Sequence, residues 1–238
     1  NKTTGFEKFK IEPDWKNQSN QFSISGFLMD TSSTDTIYRN VNDPTLFTGT
    51  VFNEMLNTKG LNIQNIKKGP LSKTADIIAK HTSESIIHSL RNLMVESDNL
   101  TAELTVKLIG QQVSGRQGNW DNGLTAVKSF LNDEVGIDTT VISMKDGSGV
   151  SRYNYSSPSH FIQLLTWAYN TPTIRNNFIL TLPKGGKEGT LNRGNFSKNV
   201  VAKTGSLSSV TSLSGYVFTQ KGEPLAFSIL MNGFPGSS

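Results

Sequence analysis

The run "KNVVAKTGSLSSVTSLSGYVFTQKGEPLAFSILMNG", from Lys198 to Gly233, constrains the fold of this chain more than any other stretch. Valine, leucine and aromatic residues recur among small polar ones, and "QKGEP" (Gln220 to Pro224) interrupts them with a turn, so three consecutive strands are expected. Strands joined by connections this short pair antiparallel. A meander of that kind needs helices to cover its apolar face, and the helical candidates all lie upstream of it. Segregated helices and strands place the chain in the α+β class.

Four helical patterns precede the meander in the same half of the chain. "TADIIAKHTSESIIHSLRNLMVE" becomes amphipathic from about Ser85, and "NLTAELTVKLIGQQ" places Leu100, Leu104 and Leu108 on one stripe. "NWDNGLTAVKSFLNDEVG" and "SPSHFIQLLTWAYN" give two more, flanking the tight turn "KDGSGVSRYN". Nearer the N-terminus, "QFSISGFL" suits a strand, Pro44 opens a helix followed by Gly60, and "LNIQNIKKG" reads as a short strand closed by Gly69 and Pro70. A domain boundary is expected there, dividing 1–69 from 70–238.

Composition removes several function classes. At 238 residues and 35% hydrophobic content, the chain can bury a real core. Its net charge of +4 comes from lysines scattered among acids, so no basic stripe is available and nucleic acid is not an expected partner. The absence of cysteine excludes disulfides, thiolate catalysis and Cys-based zinc sites. His81, His88 and His160 lack metal-ligand spacing, and no cofactor or metal is expected. "DGSG" lacks the alternating acids of a calcium loop, and "GQQVSGR" sets Arg116 where a phosphate loop requires lysine. No apolar run approaches the roughly 18 to 20 residues that span a bilayer. The chain begins at Asn1 without a basic-then-apolar leader, as expected of a processed or trimmed piece.

Two short motifs carry chemistry. Ser97, Asp98 and Asn99 stand in the break between two helical patterns, and Lys203, Thr204, Gly205 and Ser206 end the strand pattern "NVVA". Taken singly, the first reads as a helix cap and the second as an ordinary strand end. S-D-N and K-T-G in this order, however, are two of the three signature elements of class A β-lactamases and penicillin-binding proteins, the third being S-x-x-K. Together with "DGSGVSRYN", "LPKGGKEGTLNRG" and "AKTGSLSSVTSLSGY", they make the sequence from about residue 69 onward resemble the low-molecular-mass penicillin-binding proteins of the D-Ala-D-Ala carboxypeptidase/endopeptidase type, peptidase family S13.

The resemblance implies part of a β-lactamase-like transpeptidase domain, an antiparallel sheet flanked by helices, with residues 1–69 as the end of an inserted α/β accessory domain. It implies acyl-enzyme chemistry on peptidoglycan stem peptides ending in D-Ala-D-Ala, inhibition by β-lactams, and a periplasmic or cell-envelope location. Ser97 would relay a proton between the nucleophile's lysine and the leaving nitrogen. Asn99 would grip a substrate amide and orient that lysine, while Asp98 caps the helix. Lys203 would supply positive charge, and the Thr204 and Ser206 hydroxyls would bind the terminal carboxylate. The Ser206 N–H would form half of an oxyanion hole, and Gly205 would let the strand lie close to the ligand.

One departure stands against these matches. No serine in the chain is followed three residues later by lysine, so S-x-x-K is absent. In the family that motif lies upstream of the inserted domains, and the chain is therefore expected to be a C-terminal part that does not catalyse acyl transfer alone. A non-catalytic peptidoglycan-binding descendant and a serine β-lactamase are the alternatives.

Overall fold

The computed structural model describes residues 9–14, 16–27, 38–70, 72–193 and 195–235, and the chain divides into two compact units between Lys80 and His81. In the first unit, β1 (Lys10–Pro13) and β2 (Phe22–Ser25) form an antiparallel hairpin in which Ile11 faces Ile24. The turn between them is held by Asp14, whose backbone N–H donates to the Gln21 carbonyl at 3.0 Å. Helix α1 (Pro44–Asn57) starts where the sequence indicates: Asp43 accepts from the Leu46 N–H at 3.1 Å, and Pro44 fills the first turn, where no N–H partner exists to lose. Lys68 reaches back to the Asp43 carboxylate at 2.6 Å.

Two expectations need correction in this unit. Leu61–Gly69 is not a strand, because its alternating residues have no ladder partner: the hairpin's two strands pair only with each other among the described residues. Conversely, β1 lies inside a segment whose polar composition gives no strand pattern. Leu28, the end of the expected strand that β2 realises in part, falls outside the described residues.

Among its described residues the second unit combines five helices with a three-stranded sheet. The helices are α2 (Ile86–Glu96), α3 (Asn99–Ser114), α4 (Trp120–Asp133), α5 (Pro158–Asn170) and α6 (Pro172–Thr181), followed by a 3-10 turn at Gly189–Arg193. The sheet is β3 (Val200–Leu207), β4 (Val210–Phe218) and β5 (Pro224–Asn232), antiparallel in that order, with Lys203 opposite Ser214 and Gly205 opposite Ser212. This is the α+β meander expected from the sequence. The added element is α6, which begins at Pro172 after a single residue of extended backbone.

The core lies where α5 and α6 cover the sheet: Leu165, Leu182, Val201 and Tyr216 are buried, with Phe178 and Met94 packed against them. The Tyr216 hydroxyl donates to the Leu165 carbonyl at 2.6 Å, so the central strand is tied to α5 by a bond that also satisfies a buried polar group. Burial, followed by the neighbouring Tyr169, pushes the Tyr216 phenol up to about 12. On α3 the expected leucine stripe is not the packed face: Leu100, Leu104 and Leu108 remain 67%, 55% and 51% exposed, whereas Val106 and Gly110 are buried. Small residues let α3 approach α4 closely, and that contact sets the helix's rotation instead of the longer side chains.

Candidate active site

The first part of the site is a forced break between two helices. Helix α2 ends at Glu96, and Ser97 takes a left-handed conformation, φ 58° and ψ 49°, that costs a residue with a Cβ roughly 1 to 2 kcal/mol. Asp98 then caps α3, accepting from the Leu100 N–H at 3.0 Å and the Thr101 hydroxyl at 2.5 Å. The Thr101 hydroxyl first, with the backbone N–H groups of the new helix adding to it, holds the Asp98 carboxyl below its ordinary range. The aspartate is thus occupied locally, while Ser97 and Asn99 on either side of it are exposed. Backbone strain at a serine, fixed by a cap one residue later, is the kind of outlier that marks a functional position.

The second part is an edge strand. β3 pairs with β4 along the whole length of β3, but on its other side, among the described residues, only its beginning is covered: Gly185 N–H donates to the Val200 carbonyl at 2.9 Å and Ala202 N–H to the Pro183 carbonyl at 3.0 Å. Beyond that short bridge comes the row Lys203, Thr204, Gly205 and Ser206. The Lys203 ammonium donates to the Ser97 hydroxyl at 2.9 Å and to the Thr204 carbonyl at 2.8 Å. Burial of the cation lowers its pKa below the ordinary lysine value. The helix break and the strand therefore meet at one point, where the structure joins the expected residues Ser97 and Lys203 directly. Thr204 pairs instead with Thr190 of the 3-10 turn, hydroxyl to hydroxyl at 2.6 Å.

At Gly205 a Cβ would lie 2.4 Å from the Ser212 hydroxyl on β4, which would have to rotate to another rotamer to admit it, while the Ser212 Cβ is 3.8 Å away.

Sequence reasoning missed the supports around this junction. Glu103, on α3, accepts from the Trp120 indole at 2.7 Å, the Gly147 and Ser148 N–H groups at 3.1 and 3.0 Å, and the Ser148 hydroxyl at 2.5 Å. Burial raises the Glu103 pKa, yet these bonds outweigh it and the carboxylate titrates below its ordinary range. Asp146 organises the rest of the same loop, accepting from the Gly149 and Ser151 N–H groups and the Asn154 amide. Arg152, at the loop's end, donates to the Ser208 carbonyl at 2.9 Å, in the turn that closes β3. A glutamate within an amphipathic helix reads as a solvated face, and its three partner residues, Trp120, Gly147 and Ser148, are too far along the chain for any local pattern to show.

A cavity of about 800 Å³, with a mainly apolar lining that includes Phe161, Leu164, Val210 and Leu230, lies between α5 and the sheet. Asp146, Gly149, Ser151, Arg152 and Asn154 of the "DGSGVSRYN" turn line it, whereas Ser97, Asn99, Lys203, Thr204, Gly205 and Ser206 do not, so the cavity does not coincide with the Ser97–Lys203 junction. Among the described residues no group of three or more His, Asp and Glu is placed to hold a metal ion, and no helix is long and apolar enough to cross a membrane.

The chain matches the family described as D-Ala-D-Ala carboxypeptidase 3 (S13) over residues 10–238. It is 36% identical over 231 residues to a D-alanyl-D-alanine carboxypeptidase of Actinomadura sp. (strain R39), covering 92% of this chain and 42% of that protein. It is 33% identical over 165 residues to the D-alanyl-D-alanine carboxypeptidase DacB of Haemophilus influenzae, covering 66% of this chain and 34% of that protein. Its fold is similar to that of penicillin binding protein 4 from Haemophilus influenzae, solved in complex with a β-lactam, at a TM-score of 0.76 and 23% identity over 97% of this chain and 54% of that one. The chain spans less than half the length of these two curated relatives. A match running from Lys10 to Ser238, on a fold that brings a strained serine to the lysine of an edge strand, makes this chain a member of the D-Ala-D-Ala carboxypeptidase 3 (S13) family.

Proposed function

We propose that this chain supplies the proton-relay and carboxylate-binding half of a serine acyl-transfer site acting on peptidoglycan stem peptides that end in D-Ala-D-Ala. The observation that carries this reading is the 2.9 Å hydrogen bond from Lys203 to Ser97 at the meeting of the helix break and the edge strand. An extended peptide can lie along β3 as an added strand, which sets its C-terminal carboxylate near Thr204 and Ser206. The hydroxyls of those residues donate to the carboxylate and Lys203 supplies the charge that favours it.

In the complete site, a serine hydroxyl from an S-x-x-K segment outside this chain attacks the carbonyl carbon of the penultimate D-Ala. The attacking hydroxyl's proton passes through the lysine of that segment and Ser97 to the nitrogen of the terminal D-Ala, the C–N bond breaks, and free D-Ala leaves. Water then cleaves the resulting ester. Asn99 holds the substrate amide in line, and the Ser206 N–H donates to the oxygen that becomes negative during attack. β-Lactams acylate the same serine, and cleavage of cross-linked peptides is a related activity of the same geometry. Such a substrate places the protein at the cell envelope.

The test is labelling with a fluorescent penicillin. The full-length protein becomes covalently labelled and releases D-Ala from a D-Ala-D-Ala peptide, and the 238-residue chain does neither. A full-length protein that binds stem peptide without being labelled is a peptidoglycan-binding module, and one that rapidly turns penicillin over is a β-lactamase; either result overturns the carboxypeptidase reading.

A further inference from the structure

Thr204 has a hydroxyl partner that the S-D-N and K-T-G motifs do not include. Thr190 Oγ1 lies 2.6 Å from Thr204 Oγ1, on the 3-10 turn Gly189–Arg193. A hydroxyl carries one proton. If Thr204 spends it on Thr190, nothing remains to donate to a substrate carboxylate; if Thr190 donates instead, the Thr204 proton points outward and the two O–H groups form a chain in which each polarises the next.

The turn that carries Thr190 is fixed on both sides of it. Leu191 is fully buried, and its carbonyl accepts from the Gly186 N–H at 3.1 Å. Gly189 has φ +49° and presses on the last turn of α2: a Cβ there would sit 2.1 Å from the Val95 carbonyl oxygen. Glu188 accepts from Arg91 of α2 at 2.8 Å and from the Lys184 N–H at 3.1 Å, and Arg91 also donates to the Leu180 carbonyl. The helix that Ser97 caps is thus braced against the turn that touches Thr204. The two halves of the site share one strut.

We infer that Thr190 is a positioning residue for substrate carboxylate recognition: it donates to Thr204, so that the Thr204 hydroxyl is committed to the carboxylate. This rests on the reading of Thr204 as a carboxylate ligand given above. A bulky or apolar replacement at 190 then weakens recognition of the carboxylate without touching the reacting atoms.

The experiment compares two substrates with the full-length protein: a peptide ending in D-Ala-D-Ala with a free carboxylate, and the same peptide ending in a carboxamide. Thr190→Val is expected to lower kcat/KM for the carboxylate substrate about 3- to 10-fold, the range of one neutral hydrogen bond. The carboxamide value stays within about twofold of wild type, and Thr190→Ser restores the carboxylate preference because it keeps the hydroxyl. An unchanged preference in Thr190→Val, or an equal loss on both substrates, overturns the inference. Should Thr190→Val fail to fold, Thr190→Ala gives the same ratio. Inactivity of the wild-type protein on both substrates, with no penicillin labelling, instead removes the carboxypeptidase reading itself.

Discussion

Lys203 donates its ammonium proton to the hydroxyl of Ser97 across 2.9 Å, joining residues 106 positions apart in the chain. The bond depends on two local features of different origin. Ser97 is held in a left-handed conformation by the helix break, and Lys203 is carried on a strand whose register against β4 is fixed from Val200 to Leu207.

Asp98 is expected to be a structural residue within a catalytic-looking triplet. Asp98→Ala removes the α3 cap and is predicted to lower stability by about 1 kcal/mol in urea unfolding. The Asp98 pKa is depressed in the folded state, so its contribution is present above the unfolded value near 3.9 and is lost as pH falls through the folded value. The variant should therefore show a shallower loss of stability in acid than wild type. Equal acid limbs in the two proteins contradict this.

Tyr216 gives the opposite sign at the other end of the scale. Its phenol is raised to about 12, so its contribution is present below the unfolded value near 10 and disappears as pH climbs from about 10 to about 12. Tyr216→Phe is predicted to lose about 0.5 to 1.5 kcal/mol at neutral pH, the net value of one hydrogen bond, and to flatten that alkaline decline. Ultraviolet titration of the phenolates alongside unfolding midpoints checks both statements.

Lys203 is predicted to be costly to the fold and necessary to the site. Its pKa is lowered by burial, so the unfolded chain binds its proton more tightly, and stability gains as pH rises from the folded value toward 10.5. Lys203→Met should leave stability at neutral pH unchanged or higher. The same variant in the full-length protein should slow penicillin acylation roughly 10- to 100-fold, the range of a hydrogen bond to a charged group. A variant that loses both stability and acylation would show Lys203 to be a packing residue.

The brace between α2 and the 3-10 turn is expected to be partly buried and worth measuring. Glu188→Gln keeps the shape but removes the charge opposite Arg91, and a loss of about 1 kcal/mol is predicted, between the values for exposed and buried pairs. The double variant with Arg91→Met should recover part of that loss, because neither charge is then left alone. Additive losses contradict a direct coupling.

The parts of this molecule that were legible in the sequence are those written in local chemistry. The α2–α3 break shows itself because Asp98 is a cap residue beside helix-forming runs, and β3 to β5 show themselves because a turn at Gln220 separates strand-forming segments. Leu61–Gly69 misled, since alternation signals a strand only where a partner edge exists. The leucine stripe of α3 lies on a helix as expected but is not its packed face, because Val106 and Gly110 are what meet Asn122 and Gly123 of α4. The bonds of Glu103 to Gly147 and Ser148, and of Thr190 to Thr204, are set by tertiary placement and leave no spacing signal. The meeting of Ser97 with Lys203 was expected from a family resemblance, and no local rule contains it.

The most direct test measures the second-order rate of acylation by a fluorescent penicillin in the full-length protein and in its Ser97→Ala variant at matched stability. If Ser97 passes the proton during acyl transfer, the variant is slowed about 100-fold or more, the usual contribution of a positioned proton-transfer group. Acylation at the wild-type rate would contradict that role and leave the Lys203–Ser97 bond a structural contact.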